Sequence, residues 1–313
     1  MTSHLQSTIR ESVTLSGVGV HRGQPATVTI HPAAADQGVV FARGRGEGEL
    51  RLRAHHSAVV STTSCTVLGS DKGVVATVEH LMAALGGLGI DNVLVEIDGD
   101  EMPILDGSSA PFVDAIRTVG TRTLPVPRRF IKVLKPIRVQ DGDAVAELVP
   151  YAGQRVEVEI AFDDPIIGRQ SYAYDFESGD FARDVARART FGFLRDVDAM
   201  RARGLALGAS LDNTIVVGEG EIVNPEGLRY RDEFVRHKVL DAIGDLRLAG
   251  APVLGAYRSL YGGHRMNAAV LGALLSDSDA WTYSYGHSAP RREAAHAELA
   301  DMLPSAAYGP EAS

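Results

Sequence analysis

Over residues 8–68 short apolar segments (18–20, 26–30, 39–41 and 58–60) alternate with glycine-rich or charged turns, a pattern that predicts a meander of strands. Arg43, Arg45, Arg51 and Arg53 alternate within it and read as a solvated strand face. The period then lengthens. Val75, Val78, Met82 and Leu85 recur at helical spacing and stop at Gly86-Gly87, residues 92–97 form a strand, and residues 108–119 form a helix with Pro111 in its first turn. Residues 121–127 carry two prolines and no apolar period, as a linker does. Beyond them the pattern restarts with strands over 130–139, 144–149 and 155–162, a helical Ala/Arg stretch over 181–189, and a short helix ending near Gly204. The longest helix spans 232–250, where Val235, Val239, Ala242, Ile243, Leu246 and Ala249 make one apolar arc; another covers 266–275.

Leu211-Asp-Asn213 followed by residues 214–217 echoes Ile90-Asp-Asn92 followed by residues 93–97, and each leads through a glycine turn and an acidic segment to a helix. The reading is an α+β chain of two similar domains, each a layer of strands packed against a pair of helices. The first domain is placed at 1–120, a linker at 121–127, the second domain at 128–275 and a tail at 276–313, with one possible amphipathic helix over 291–303.

The chain has 313 residues, enough for a sizeable core and about two domains. Its first residues have no apolar leader, and no apolar run approaches the roughly 18 residues of a membrane span. A single cysteine, Cys65, excludes an internal disulfide framework, and together these features point to the cytoplasm. A net charge of -9 argues against a nucleic-acid binder that relies on overall basicity, so any phosphate must be held locally.

The candidate chemistry is carried by histidines and carboxylates. On the long helix His237, Asp241 and Asp245 recur every four residues, so His237 and Asp241 can hold one cation between them. Glu79-His80 interrupts an otherwise apolar helix, and zinc hydrolases often place a carboxylate beside a ligand histidine. His264 follows Gly262-Gly263 at a helix start, whose positive end lowers its pKa while a nearby carboxylate such as Asp245 raises it. Thr190 precedes Phe191-Gly-Phe193, where a hydroxyl could donate to an oxyanion. Taken singly, each has a commoner structural reading: a solvated His-Asp contact, a satisfied core histidine, a cap, a turn. Two histidines and a carboxylate form a known catalytic zinc set, and His80, His237 and Asp241 could supply it. No phosphate loop stands out, and Gly17-Val-Gly-Val-His21-Arg-Gly23 is too loose to be one. The residues alone therefore lead to a possible metal hydrolase.

Six motifs in order carry a closer resemblance: Thr77-Val-Glu-His-Leu-Met-Ala-Ala-Leu85, Ile90-Asp-Asn92, Pro103-Ile-Leu-Asp-Gly-Ser108, Ala188-Arg-Thr-Phe-Gly-Phe193, Glu233-Phe-Val-Arg-His-Lys238 with Asp241, and Gly263-His264. With them the chain resembles, over about residues 8–274, the zinc-dependent UDP-3-O-acyl-N-acetylglucosamine deacetylases of lipid A biosynthesis. The resemblance implies a cytoplasmic enzyme with its active site between two α/β domains and a UDP-linked acylated sugar as substrate; a monomer is expected, although the sequence does not fix the oligomeric state. It makes His80, His237 and Asp241 ligands of Zn2+, Glu79 the general base, and His264, protonated and steadied by Asp245, the donor to the oxyanion or leaving amine. Thr190 then stands near the carbonyl oxygen. Lys238 and Phe191 touch substrate, Phe193 neighbours the uridine end, and His21 lies near the sugar or diphosphate. Residues 194–217 fall where the family builds an acyl passage, here with Leu194, Val197, Met200, Leu205, Leu207, Leu211 and Val216.

Two positions depart from the family pattern. Ala144 stands where a basic residue is expected, and Asp164 where a histidine is common before proline; both bear on nucleotide or sugar binding. Ser64 and Cys65 fall near the expected mouth of the site. Two alternatives follow: a zinc amidase for another N-acylated sugar, or a catalytically silent binding protein on the same fold. The presence of Glu79, His80, His237, Asp241 and His264 together argues against the second.

Overall fold

The computed structural model describes residues 4–44 and 46–285. In the N-terminal half, β1 (Leu5–Ile9), β2 (Val13–Val18), β3 (Pro25–Pro32), β4 (Val39–Arg43) and β5 (Leu50–Arg53) precede a small sheet of β6 (Val59–Ser61), β7 (Val67–Ser70) and β8 (Gly73–Ala76). Helix α1 (Glu79–Gly87), strand β9 (Val93–Ile97) and helix α2 (Ala110–Val119) follow. The main sheet runs β2-β3-β9-β4-β5, with β9 parallel to β4 and the other neighbours antiparallel. Its strands form because apolar residues alternate: in β5 Leu50 and Leu52 are buried while Arg51 and Arg53 are exposed, as expected of a solvated face. Arg43 departs from that face and reaches Asp100 and the carbonyls of Val74 and Gly99, and Arg45 lies outside the described residues.

The chain continues through β10 (Thr121–Pro127), β11 (Arg129–Val133), β12 (Ile137–Asp141), β13 (Ala144–Val149), β14 (Gln154–Ala161) and β15 (Arg169–Asp175). Next come α3 (Phe181–Asp184), β16 (Phe191–Phe193), α4 (Val197–Ala202), β17 (Ile215–Val217), α5 (Glu233–Leu246), β18 (Val253–Leu260), α6 (His264–Ser276) and β19 (Trp281–Tyr285). In the second main sheet β18 pairs along one edge with β13, and along the other with β11 at its start and β14 over the rest. The order β12-β13-β18-β14-β15 therefore repeats β2-β3-β9-β4-β5, again parallel only where the late strand meets the third. Each late strand sits between two helices in sequence, α1 and α2 around β9, α5 and α6 around β18. The two halves are alike, yet the counterpart of β9 is β18; residues 214–217 instead contribute β17, which pairs with β16 in a separate two-stranded ribbon.

Several expected elements differ. Residues 121–127, expected as a linker, are strand β10, antiparallel to β1; a two-stranded ribbon has only edges, where proline is tolerated. Val75 lies in β8 opposite Leu68, and α1 starts only at Glu79, because Thr77 turns the chain with a φ of 59°. The segment 130–139 is two strands, β11 and β12. The helix expected over 181–189 stops at Asp184, since Arg189 turns inward to the carboxylate of Glu233. The possible helix over 291–303 lies outside the described residues.

Helices α1 and α5 pack against each other at the centre of the molecule. Glycine makes the contact close. A Cβ on Gly244 of α5 would stand 2.1 Å from the carbonyl oxygen of Glu79 on α1.

Candidate active site

The close approach of α5 to α1 brings His80, near the start of α1, over His237 and Asp241, one turn apart on α5. His80 Nε2 lies 3.9 Å and His237 Nε2 3.4 Å from the same oxygen, Asp241 Oδ1. His237 Nδ1 is 3.0 Å from the carbonyl of Ala188. A carbonyl only accepts, so Nδ1 carries the proton and Nε2 presents a lone pair. Asp241 Oδ1 and His80 Nδ1 are buried with no hydrogen-bond partner among the described residues. Lone pairs facing a carboxylate oxygen without a proton between them are repulsive unless a cation joins them. Burial holds His237 below its ordinary pKa and pushes His80 down to about 3, so both rings are neutral. Burial alone would raise Asp241, but the positive charges of Lys238 and His264 beside it hold its carboxyl well below the usual range. These three residues place one donor atom each within 4.8 Å of one another, and the set of two neutral imidazoles and one carboxylate fits a metal ion.

Beside this trio stands a second cluster. His264 Nδ1 donates to Asp245 Oδ2 at 2.8 Å, and its Nε2 lies 3.8 Å from Glu79 Oε1 and 3.9 Å from Asp241 Oδ2. Asp245 is itself fixed: Thr66 Oγ1 donates to Oδ1 at 2.6 Å and Asn267 Nδ2 to Oδ2 at 2.8 Å, while Tyr257 donates its hydroxyl to Asn267. Burial opposes a charge on His264, yet Asp245, Asp241 and Glu79 together lift it to about 9, so of the two effects expected of it the carboxylates win. Glu79 Oε2 accepts the N–H of Thr66 at 3.1 Å, which leaves Oε1 toward His264. Burial raises Glu79 to about 8, with His264 opposing and Asp245 and Asp241 adding to the shift.

Both clusters open onto a cavity of about 580 Å³. Thr190, Phe191 and Phe193 line it, and the backbone of Thr190 is fixed on one side by Gly107 and on the other by Ile215. Lys238 Nζ donates to Asp241 Oδ2 at 2.8 Å and stands 5.6 Å from the Phe191 ring centre. His21 lines the same cavity, and its buried Nδ1 has no hydrogen-bond partner among the described residues. Its loop is held by Glu101, which accepts the N–H groups of His21 and Arg22, each at 2.8 Å.

The chain matches the UDP-3-O-acyl N-acetylglycosamine deacetylase family over residues 6–276. The chain belongs to this family. It is similar to the UDP-3-O-acyl-N-acetylglucosamine deacetylases of Brucella ovis, Brucella abortus and Brucella melitensis, each 52% identical over 277 residues, covering 88% of this chain and 97% of the relative.

Against the residues expected for this family, the structure brings Glu79, His80, His237, Asp241, Asp245 and His264 into one buried group, with Thr190, Phe191, Phe193, Lys238 and His21 around the cavity. Of the seven apolar residues expected in the passage, Leu194, Val197, Met200, Leu211 and Val216 line it, whereas Leu205 and Leu207 do not. Leu207 instead donates its backbone N–H to the carbonyl of His21 and leaves its side chain half exposed. Val20, Ile104 and Val223 complete the apolar wall. Ser64 and Cys65 also line it; burial and then Glu79 push the Cys65 thiol up to about 12, so it is inert as a nucleophile. Asp164 stays outside the lining, accepting the N–H of Ile166 and pairing with Arg195. Ala144 sits opposite Asp141, which is paired with Arg265, so a guanidinium stands near the position where a basic residue is missing. Sequence reasoning passed over Thr66, Tyr257 and Asn267. Asn267 had a signal, being a polar residue three after His264 on an apolar helix, but Thr66 and Tyr257 had none.

Proposed function

We propose that this chain hydrolyses the N-acetyl amide of a UDP-3-O-acyl-N-acetylglucosamine, releasing acetate and the free amine, with zinc held by His80, His237 and Asp241. The observation that carries the reading is the meeting of two buried clusters, one fitted to a cation and one fitted to move protons, where they open onto one apolar cavity. Held by these three residues, zinc would supply Lewis acidity for the amide carbonyl and for a water molecule.

The chain's own groups do the rest. Glu79 takes the proton of the attacking water at Oε1, since Oε2 is occupied by the N–H of Thr66. A carboxyl raised to about 8 accepts and returns a proton near neutral pH, which suits general base work. The Thr190 hydroxyl donates to the developing oxyanion, where one such donor contributes about 3 kcal/mol. His264 keeps Nδ1 on Asp245 and delivers a proton from Nε2 to the leaving amine, a step contributing about 10²- to 10⁴-fold. Lys238 and Phe191 touch the substrate, His21 lies near its sugar or diphosphate, and Phe193 near the uridine end. The acyl chain follows Leu194, Val197, Met200, Leu211 and Val216. One chain supplies every group, in keeping with a monomer, and the lone buried cysteine agrees with a reducing cytoplasm. Among the described residues no helix is long and apolar enough to cross a membrane.

The test is amine release from UDP-3-O-acyl-N-acetylglucosamine by the protein as isolated, after chelation and after zinc is restored. Activity lost and regained with metal is expected. No turnover despite bound zinc would move the substrate to another N-acylated sugar, and no zinc binding at all would remove the metal centre from the reading.

A further inference from the structure

A second cavity, of about 830 Å³, lies at the far ends of α1 and α5, walled by Gly86, Gly87, Ile243 and Leu246 and by residues of β10, β14 and β18. It shares no lining residue with the cavity described above. Six arginines line it: Arg10, Arg117, Arg122, Arg128, Arg155 and Arg247. Arg128 and Arg247 are buried and share one carboxylate, with Arg128 Nε donating to Asp91 Oδ1 at 2.9 Å and Arg247 Nη2 standing 3.7 Å from the same atom. Arg155 pairs with Glu157, which is shared with Arg258, and Arg117 stands 3.9 Å from Asp180. Among the described residues, six guanidinium groups thus have three carboxylates within ion-pair distance.

Arginines that only pin strands together place their N–H groups on protein carbonyls, as Arg10 does on Thr121 and Arg247 Nη2 does on Ile90. Pinning does not account for Arg247 Nε, which is buried with no acceptor among the described residues. Burial lowers Arg247 to about 10, with Asp91 compensating only in part and Arg128 adding to the effect: a cation short of counter-charge. Part of the wall is aromatic. Tyr174, Phe176 and Phe181 line it with ring centres 5.0 and 6.3 Å from Tyr174.

We propose that this cavity is a second ligand site that takes an organic phosphate of nucleotide size. Its phosphates lie on the arginines, which match phosphate oxygens in forked pairs, and its ring or apolar body lies on the aromatic wall. The volume falls in the roughly 300–1,000 Å³ range of small-molecule pockets.

The experiment is calorimetric titration of ATP into the full chain and two variants. Arg122→Ser/Arg155→Ser changes two residues that are at least partly exposed, so the fold should persist, and an unchanged melting temperature checks this. Lys238→Ala alters only the other cavity. Saturable ATP binding that falls at least tenfold in the double variant and persists in Lys238→Ala is expected. Absence of binding at millimolar ATP, or binding abolished by Lys238→Ala and indifferent to the double variant, would overturn the proposal.

Discussion

Gly244→Ala adds one methyl group at the contact between α1 and α5. That carbon would stand 2.1 Å from Glu79 O, 2.8 Å from Glu79 C and 3.0 Å from Glu79 Cα, and ordinary contact begins near 3.4 Å, so the helices must separate by about 1.3 Å. All three clashing atoms are backbone, which cannot rotate away. Alanine gains up to about 1 kcal/mol of helix propensity over glycine, against about 1–3 kcal/mol for overpacking, so the protein should fold with a slightly lower melting temperature. The site should suffer more. The shift moves α1, which carries Glu79 and His80, relative to α5, which carries His237 and Asp241, and a displacement near 1 Å can cost about 10²-fold in rate. The assay pairs kcat for amine release with zinc content after dialysis. Expected are a kcat lowered about 10²-fold and weaker zinc retention, with circular dichroism unchanged. Wild-type kcat with a full complement of zinc would show that the close approach does not set the site, and the reasoning would fail.

Glu79→Gln should keep zinc and lose about 10²- to 10⁴-fold in kcat, while His237→Ala should lose zinc as well; full turnover in Glu79→Gln would sink the base assignment. Asp245→Asn removes the largest of the carboxylate charges that lift His264 to about 9, so the protonated ring should disappear at lower pH. The alkaline limb of kcat should therefore move toward neutral, and an unmoved limb would count against the pairing. Arg189→Met removes the guanidinium paired with the fully buried Glu233 and leaves it only the backbone N–H groups of residues 189 and 229, a loss of about 3–5 kcal/mol to be read as a lower denaturation midpoint; a midpoint within error of wild type would contradict it.

What could be read from the chain was local. The four-residue spacing of His237 and Asp241 and the adjacency of Glu79 and His80 each follow from the geometry of one helix. Their meeting does not, because it depends on α1 crossing α5 at Gly244, and a lone glycine inside a helix reads in sequence as a weakness rather than as a contact. The repeat was visible and misplaced for a similar reason: Asp-Asn before an apolar run marks a local turn, whereas the correspondence of β9 with β18 resides in strand order. Strand β10 was hidden by its prolines, and Val75 by an apolar spacing that fits a strand end as well as a helix start. Leu205 and Leu207 show that apolar character within the insert does not decide direction; the hydrogen bond from Leu207 to His21 does.

His80 comes from the first half of the chain and His237 with Asp241 from the second, each on the helix that precedes the parallel central strand of its own sheet. An ion bound by all three is therefore also a rivet between two duplicated bodies. On the proposed reading neither half owns the catalyst, and competence requires the two to stay docked. Withdrawal of the metal should loosen the seam first, so that a single cooperative melting transition broadens or divides before either sheet is lost.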